Sequence, residues 1–123
     1  MNFDPSKPIY EQIIDAFKKK ILRGELKPED KMPSQRDVAR DMKVNPNTVQ
    51  RAYREMEYQG IAETRRGQGT FVATDTEKIL KLKREMAEKL VNSFLREMTA
   101  LGFTPEEAEN LLEQHIKKEE KTG

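Results

Sequence analysis

Two helix starts stand one behind the other in this chain, Ser34 and Asn45-Pro46, with only Lys43-Val44 to turn the backbone between them. Serine and asparagine offer a side-chain oxygen to the unpaired N–H groups of a first turn, and proline fits the first helical position because it has no N–H to lose. The spacing predicts a short helix over Gln35–Met42, with Asp37 placed as a capping-box partner and Val38, Ala39 and Met42 facing inward. A further helix then runs from Pro46 to about Gln59, where Gly60 closes it.

That further helix carries two stripes. Val49, Ala52, Tyr53 and Met56 recur at i, i+3, i+4, i+7 and must face a core. Asn47, Gln50, Arg51 and Arg54 recur at the same spacing on the opposite side. Asn and Gln present the paired donor and acceptor that match adenine, and Arg presents a bidentate fork for guanine or phosphate. An ordinary solvated helix face also reads as polar, but it mixes acids with bases for ion pairs. Here Glu55 and Glu57 flank the stripe without interrupting it. A short capped helix, a tight turn and a helix with such an outer face form a helix-turn-helix.

The flanking segments complete a small head. Tyr10, Ile13, Ile14, Phe17 and Ile21 mark an amphipathic helix from Pro8, in its first turn, to Arg23, with Gly24 as its left-handed cap. After Gly60, two strand-like runs, Ile61–Arg65 and Thr70–Ala73, bracket the turn Arg66-Gly67-Gln68-Gly69. This is a hairpin of about four loop residues, a wing with arginine at its tip. Its glycines let the backbone approach a phosphate or the minor-groove wall. From Thr76 a long helix reaches Leu101, where Gly102 stops it. Thr104-Pro105-Glu106-Glu107 starts a last helix, which gives way to a charged tail over Lys117–Gly123. The expected fold class is mainly α with a small β-hairpin wing. A winged helix-turn-helix over residues 1–75 precedes a two-helix segment over 76–123.

Composition excludes more than it assigns. With no cysteine and a single histidine, thiolate and multi-histidine metal sites, disulfides and cysteine nucleophiles are out. No signal-peptide pattern opens the sequence and no apolar run approaches the ~18 residues of a membrane span, which fits a cytoplasmic protein without a membrane partner. The carboxylates lie on solvated helix faces, so no catalytic site, cofactor or enzyme activity is expected. Lys and Arg number 23 against 22 Asp and Glu, so net charge argues neither for nor against nucleic acid.

The run KMPSQRDVARDMKVNPNTVQRAYREMEYQGIAETRRGQGTFV, with PIYEQI ahead of it, resembles the winged helix-turn-helix of GntR-family bacterial regulators. The resemblance covers roughly residues 8 to 73, and NPNTV with the short segment after the wing is similar to the YtrA-like subfamily. It implies DNA contacts from the second helix, the start of the third and the wing glycines. Carried onto this chain, these fall on Ser34, Arg36, Asn45, Asn47, Thr48, Gln50, Arg51, Arg66, Gly67 and Gly69, beside Arg54 from the stripe. Many relatives have Arg where Gln50 stands, which moves the expected base there from guanine toward adenine. Pro46 likewise replaces a residue that donates a side chain in other subfamilies.

The last two helices expose a seam of Leu80, Ala87, Val91, Phe94, Met98 and Leu101, continued by Leu111, Leu112 and Ile116 and widened by Ile79, Leu82, Met86, Leu90 and Leu95. One small head cannot cover this surface, so a homodimer is expected, placing two reading heads on an inverted-repeat operator. The resemblance implies the same use of two C-terminal helices. The function expected is transcription regulation, most often repression by occluding a promoter. No sensor domain is expected, His115 stands alone, and no effector site is legible. The competing reading is a winged-helix protein-interaction module without DNA. Exposed aromatic or aliphatic side chains on the third helix would favour it, and the outer stripe carries none.

Overall fold

The computed structural model describes residues 2–122, in the order α1 (Ile9–Leu22), α2 (Gln35–Met42), α3 (Pro46–Tyr58), β1 (Ala62–Arg65), β2 (Gly69–Val72), α4 (Thr76–Ala100) and α5 (Pro105–Thr122). The chain divides into two compact units, one through Leu82 and one from Lys83 onward.

The first unit is built on the two apolar stripes. Ile13, Ile14, Phe17 and Ile21 of α1 meet Val49, Ala52, Tyr53 and Met56 of α3, and Met32, Val38, Ile61 and Val72 complete the cluster. Removing these side chains from water is the main drive for the head to fold, at about 25 cal/mol per Å² of apolar surface. Phe17 and Tyr53 pack edge to face at 5.6 Å. The Tyr53 hydroxyl donates to the Pro33 carbonyl at 2.5 Å, which satisfies the one polar group of the largest buried side chain.

The helix-turn-helix forms as its caps dictate. Ser34 Oγ accepts from the Asp37 N–H and Asn45 Oδ1 accepts from the Asn47 N–H. The capping box expected at Asp37 is not closed. An aspartate is one methylene too short, and its carboxylate turns to Arg40 Nη1 at 3.2 Å. Lys43 ends α2 in the left-handed conformation, φ 56°, and the Val44 N–H returns to the Ala39 carbonyl. Pro8 stands at the N-cap of α1, one position outside the first turn expected for it.

In the wing the antiparallel register runs from Ala62↔Val72 to Arg65↔Gly69. Gly69 therefore belongs to β2, and the turn is three residues, Arg66-Gly67-Gln68, not four. Gly67 and Gly69 hold φ of +75° and +114°, which side-chain-bearing residues rarely adopt. A third arm that the sequence reading lacks lies along β2: the Met32 N–H donates to the Thr70 carbonyl and the Val72 N–H to the Asp30 carbonyl. The wing thus has support on both edges of β2. The expected break at 75/76 is where α4 begins. The first unit extends past it because Ile79 and Leu82 pack on the core cluster.

In the second unit, Gly102 ends α4 with φ +92°. Thr104 and Glu107 close a reciprocal capping box: the Thr104 N–H donates to Glu107 Oε1 at 3.0 Å, and the Glu107 N–H donates to Thr104 Oγ1 at 3.2 Å. Hydrogen bonding to the Thr104 backbone N–H first, and to the Thr104 side chain, holds the Glu107 carboxyl below the ordinary carboxylate range. Ala108 is the one buried apolar residue among the described residues of this unit, and α4 has none along its whole length. The charged tail expected from Lys117 is helical through Thr122, and Gly123 lies outside the described residues.

Candidate nucleic-acid interface

The core stripe of α3 is buried and the opposite stripe is open. Asn47, Gln50, Arg51 and Arg54 are all exposed, as are Ser34, Arg36 and Asn45 before and within the helix-turn-helix, while Thr48 is half-buried on the flank of α3. Arg36, Asn47 and Gln50 come together around an open concavity between α2 and the start of α3, which Gln35, Arg40 and Pro46 also line. Burial of one face thus fixes which side chains can meet a double helix. A major groove about 12 Å wide admits a helix presented this way.

The charges divide into engaged and free. Arg40 is held by Asp37 at 3.2 Å and by Asp41 at 3.1 Å. Among the described residues, Arg36, Arg51, Arg54 and Arg66 carry no ion pair. The acids flanking the stripe are turned aside: Glu55 accepts from the Gln59 amide, and Glu57 accepts a short hydrogen bond from the Thr64 hydroxyl. The outer face of α3 therefore keeps its positive charge for an outside partner. Ser34 and Asn45 use acceptor oxygens as helix caps, so the Ser34 hydroxyl proton and the Asn45 amide N–H groups remain as donors.

The wing arginines have different tasks. Arg65 lies over the Phe71 ring at 4.2 Å and pairs with Glu63 at 2.9 Å, so it staples the hairpin. Arg66, exposed beside Gly67, is the free cation of the tip. Lys31 was not anticipated here: its side chain passes within 3.1 Å of where a Cβ on Gly69 would stand, which puts another exposed cation beside the wing. Only the pairing of the Glu29–Met32 arm with β2 brings it there.

Two further aromatic residues bear on this face. Arg51 stacks on Tyr10 of α1, its guanidinium carbon 3.9 Å from the ring centre. Tyr58, one turn beyond Arg54 on the same side of α3, is 87% exposed. This corrects the expectation that the outer stripe carries no aromatic. A single phenol at its C-terminal end, following Arg51 and Arg54, is not an apolar docking patch, and a phenol hydroxyl suits a phosphate as well as a protein.

Most of the seam residues expected on the last two helices are open in the single chain. Leu80, Val91 and Leu101 are 65%, 56% and 73% exposed, and Leu111, Leu112 and Ile116 are exposed as well. Ala87 is exposed, and Phe94 and Met98 are half-buried. Leu90, Val91, Phe94, Leu95, Pro105 and Leu112 line one apolar groove between α4 and α5. Of the widening residues, Ile79 and Leu82 serve the head core and not this surface. No cluster of three or more potential metal ligands occurs among the described residues, and no helix there is long and apolar enough to cross a membrane.

The family model of bacterial regulatory proteins, gntR family, matches residues 9–72, the span from α1 to the end of the wing. The HTH-type transcriptional regulator YhcF of Bacillus subtilis is 50% identical over 105 residues, which cover 85% of this chain and 87% of that protein. The HTH-type transcriptional repressor YtrA of the same organism is 40% identical over 101 residues, covering 76% of this chain and 78% of its own. A solved GntR family transcriptional regulator from Listeria monocytogenes superposes with a TM-score of 0.85 at 38% identity, covering 91% of this chain and 98% of that one.

Proposed function

The chain belongs to the gntR family of bacterial regulatory proteins, and from that premise we propose that it is a homodimeric repressor that occupies an inverted-repeat operator. It is a DNA-binding transcriptional regulator of the YtrA-like type, and its relatives are regulators and not enzymes. The finer reading rests on one observation. The outer face of α3 holds Asn47 and Gln50 beside arginines without acid partners, while the opposite face is sealed in the core.

In this reading Gln50, Asn47 and Arg36 meet base edges from the concavity between α2 and α3. Arg54, Arg66, Ser34, Asn45, Thr48 and the backbone at Gly67 and Gly69 meet the sugar-phosphate walls. Base contacts then supply sequence choice, and the phosphate contacts supply affinity and register. Residues 1–75 act as the reading head.

Residues 76–123 act as the dimerisation segment. Leu80, Ala87, Val91, Phe94, Met98, Leu101, Leu111, Leu112 and Ile116 are apolar side chains that a single chain leaves wholly or partly in water, and they supply the surface for pairing. A second copy related by a twofold axis covers it with the same surface, and the symmetry carries over to the operator. Repression follows the name of YtrA, and a site that overlaps a promoter would be blocked by occupancy alone. The place of action is the cytoplasm, where bacterial DNA is reached.

Selection of bound duplexes from a random DNA pool tests this reading. The expected product is an inverted repeat bound by two chains at nanomolar-range affinity that falls steeply with salt. Recovery of a single unrepeated half-site, bound by one 14.3 kDa chain, would overturn the dimeric reading. Recovery of no consensus would overturn the base-reading assignments.

A further inference from the structure

The stripe on α3 treats Arg51 as a companion of Gln50, but the two residues stand in different surroundings. Gln50 opens into the concavity on the α2 side. Arg51 lies on the α1 side, with its guanidinium carbon 3.9 Å from the centre of the Tyr10 ring. Tyr10 is itself anchored. It sits in the first turn of α1, half-buried against the core cluster, and its hydroxyl reaches Glu11 at 3.3 Å. An exposed arginine without an ion pair is thus held in place by an aromatic ring from another helix.

We propose that Tyr10 is a positioning residue, which fixes Arg51 on the α1 flank of α3 so that Arg51 grips the DNA backbone and does not read a base. This rests on the DNA-binding reading of α3. A guanidinium stacked on a ring uses its face for the stack, and its N–H groups point outward in the plane, the arrangement that meets two phosphate oxygens at once. A helix lying in the major groove turns its tip and centre to the base edges and its two flanks to the two phosphate walls. Arg51, drawn back against α1, is on a flank. Holding the side chain in advance removes part of the ordering cost that a free arginine meets on binding.

The test uses the full chain, the selected operator and a random duplex of equal length, each across a range of salt. Arg51→Ala is expected to weaken both duplexes by the same factor, roughly tenfold, and to lower the salt slope by about one. Tyr10→Leu is expected to weaken both about threefold with the charge retained, and to add nothing in the Arg51→Ala background. Tyr10→Phe, which keeps the ring, is expected to bind as the parent does. A Tyr10→Leu loss that persists without Arg51, or equal losses in Leu and Phe, would overturn the proposal. So would a change of base preference at one operator position in Arg51→Ala.

A readout independent of DNA guards against a variant that merely folds poorly. In the free protein the Arg51 Nε–H resonance should carry a ring-current shift that Tyr10→Phe keeps and Tyr10→Leu loses. An unshifted resonance in the parent contradicts the stack. If the parent binds neither duplex, the DNA-binding reading falls and takes this with it. If the parent binds and Tyr10→Leu is without effect, only this proposal falls.

Discussion

The Tyr53 hydroxyl, at the centre of the buried stripe of α3, donates to the Pro33 carbonyl just ahead of α2. The bond ties α3 to the start of the helix before it, so the angle of the helix-turn-helix is fixed from inside the core. It also explains how a tyrosine is accommodated at this position: the ring fills the volume against Phe17, and the buried hydroxyl finds its partner in the Pro33 carbonyl.

Tyr53→Phe is therefore expected to lower unfolding stability by about 1 kcal/mol in urea titration, with the fold retained. The pH dependence gives a second check. Burial pushes the Tyr53 phenol well above its ordinary 10.0. The folded state keeps the proton where the unfolded chain loses it, so this contribution is complete below pH 10 and declines as pH rises beyond it. Tyr53→Phe should lack that part of the alkaline decline. An identical decline in both proteins would contradict the assignment.

Lys43 turns the chain between α2 and α3 in the left-handed conformation, which disfavours residues with a Cβ by about 1–2 kcal/mol. Lys43→Gly should raise the unfolding midpoint, the gain trimmed by the greater freedom of glycine in the unfolded chain. Lys43→Val should lower it, because a β-branched residue tolerates the turn least. Thermal unfolding of the two variants decides the sign of each.

Base readers and backbone grips should separate in binding experiments. Gln50→Ala and Arg36→Ala are expected to cost about 1–3 kcal/mol on the operator and to relax the preference at single base positions. Arg54→Ala and Arg66→Ala are expected to weaken operator and random duplex alike, each lowering the salt slope by about one. Gln50→Ala and Arg36→Ala variants that leave affinity and base preference unchanged would show the reading face to be misplaced.

Leu112→Glu puts a charge at the apolar groove that Leu90, Val91, Phe94 and Leu95 line. Burying that charge at a twofold interface is unfavourable twice over. Sedimentation at micromolar concentration should shift from a dimer to the 14.3 kDa chain, and operator binding should fall more than about tenfold as half of the phosphate contacts are lost. Retention of the dimer would move the interface elsewhere.

The elements were legible in the sequence because their signals are local. Ser34, Asn45-Pro46 and Thr104-Pro105 start their helices where the caps say, and α2 has the bounds its punctuation gave. What escaped depends on chain geometry or on partners far apart in sequence. The wing turn lost a residue because Gly69 pairs with Arg65, and the capping box at Asp37 failed for want of reach. At the candidate site, the stripe on α3 was readable from its spacing. The stack of Arg51 on Tyr10, the staple of Arg65 on Phe71 and the approach of Lys31 to Gly69 were not, since each joins residues that only the tertiary fold brings together. Helical spacing places Tyr58 on the outer face as surely as Arg54, one turn beyond the four polar residues that mark the stripe.

Footprinting of the selected operator with the intact protein tests the central claim most directly. Two heads joined by a twofold axis should protect two half-sites of inverted sequence. Their centres should lie one helical turn apart, about 34 Å, or a whole multiple of it, and both half-sites should fill at the same protein concentration. A single protected half-site, or two that fill independently at different concentrations, would contradict a dimer that reads DNA with α3.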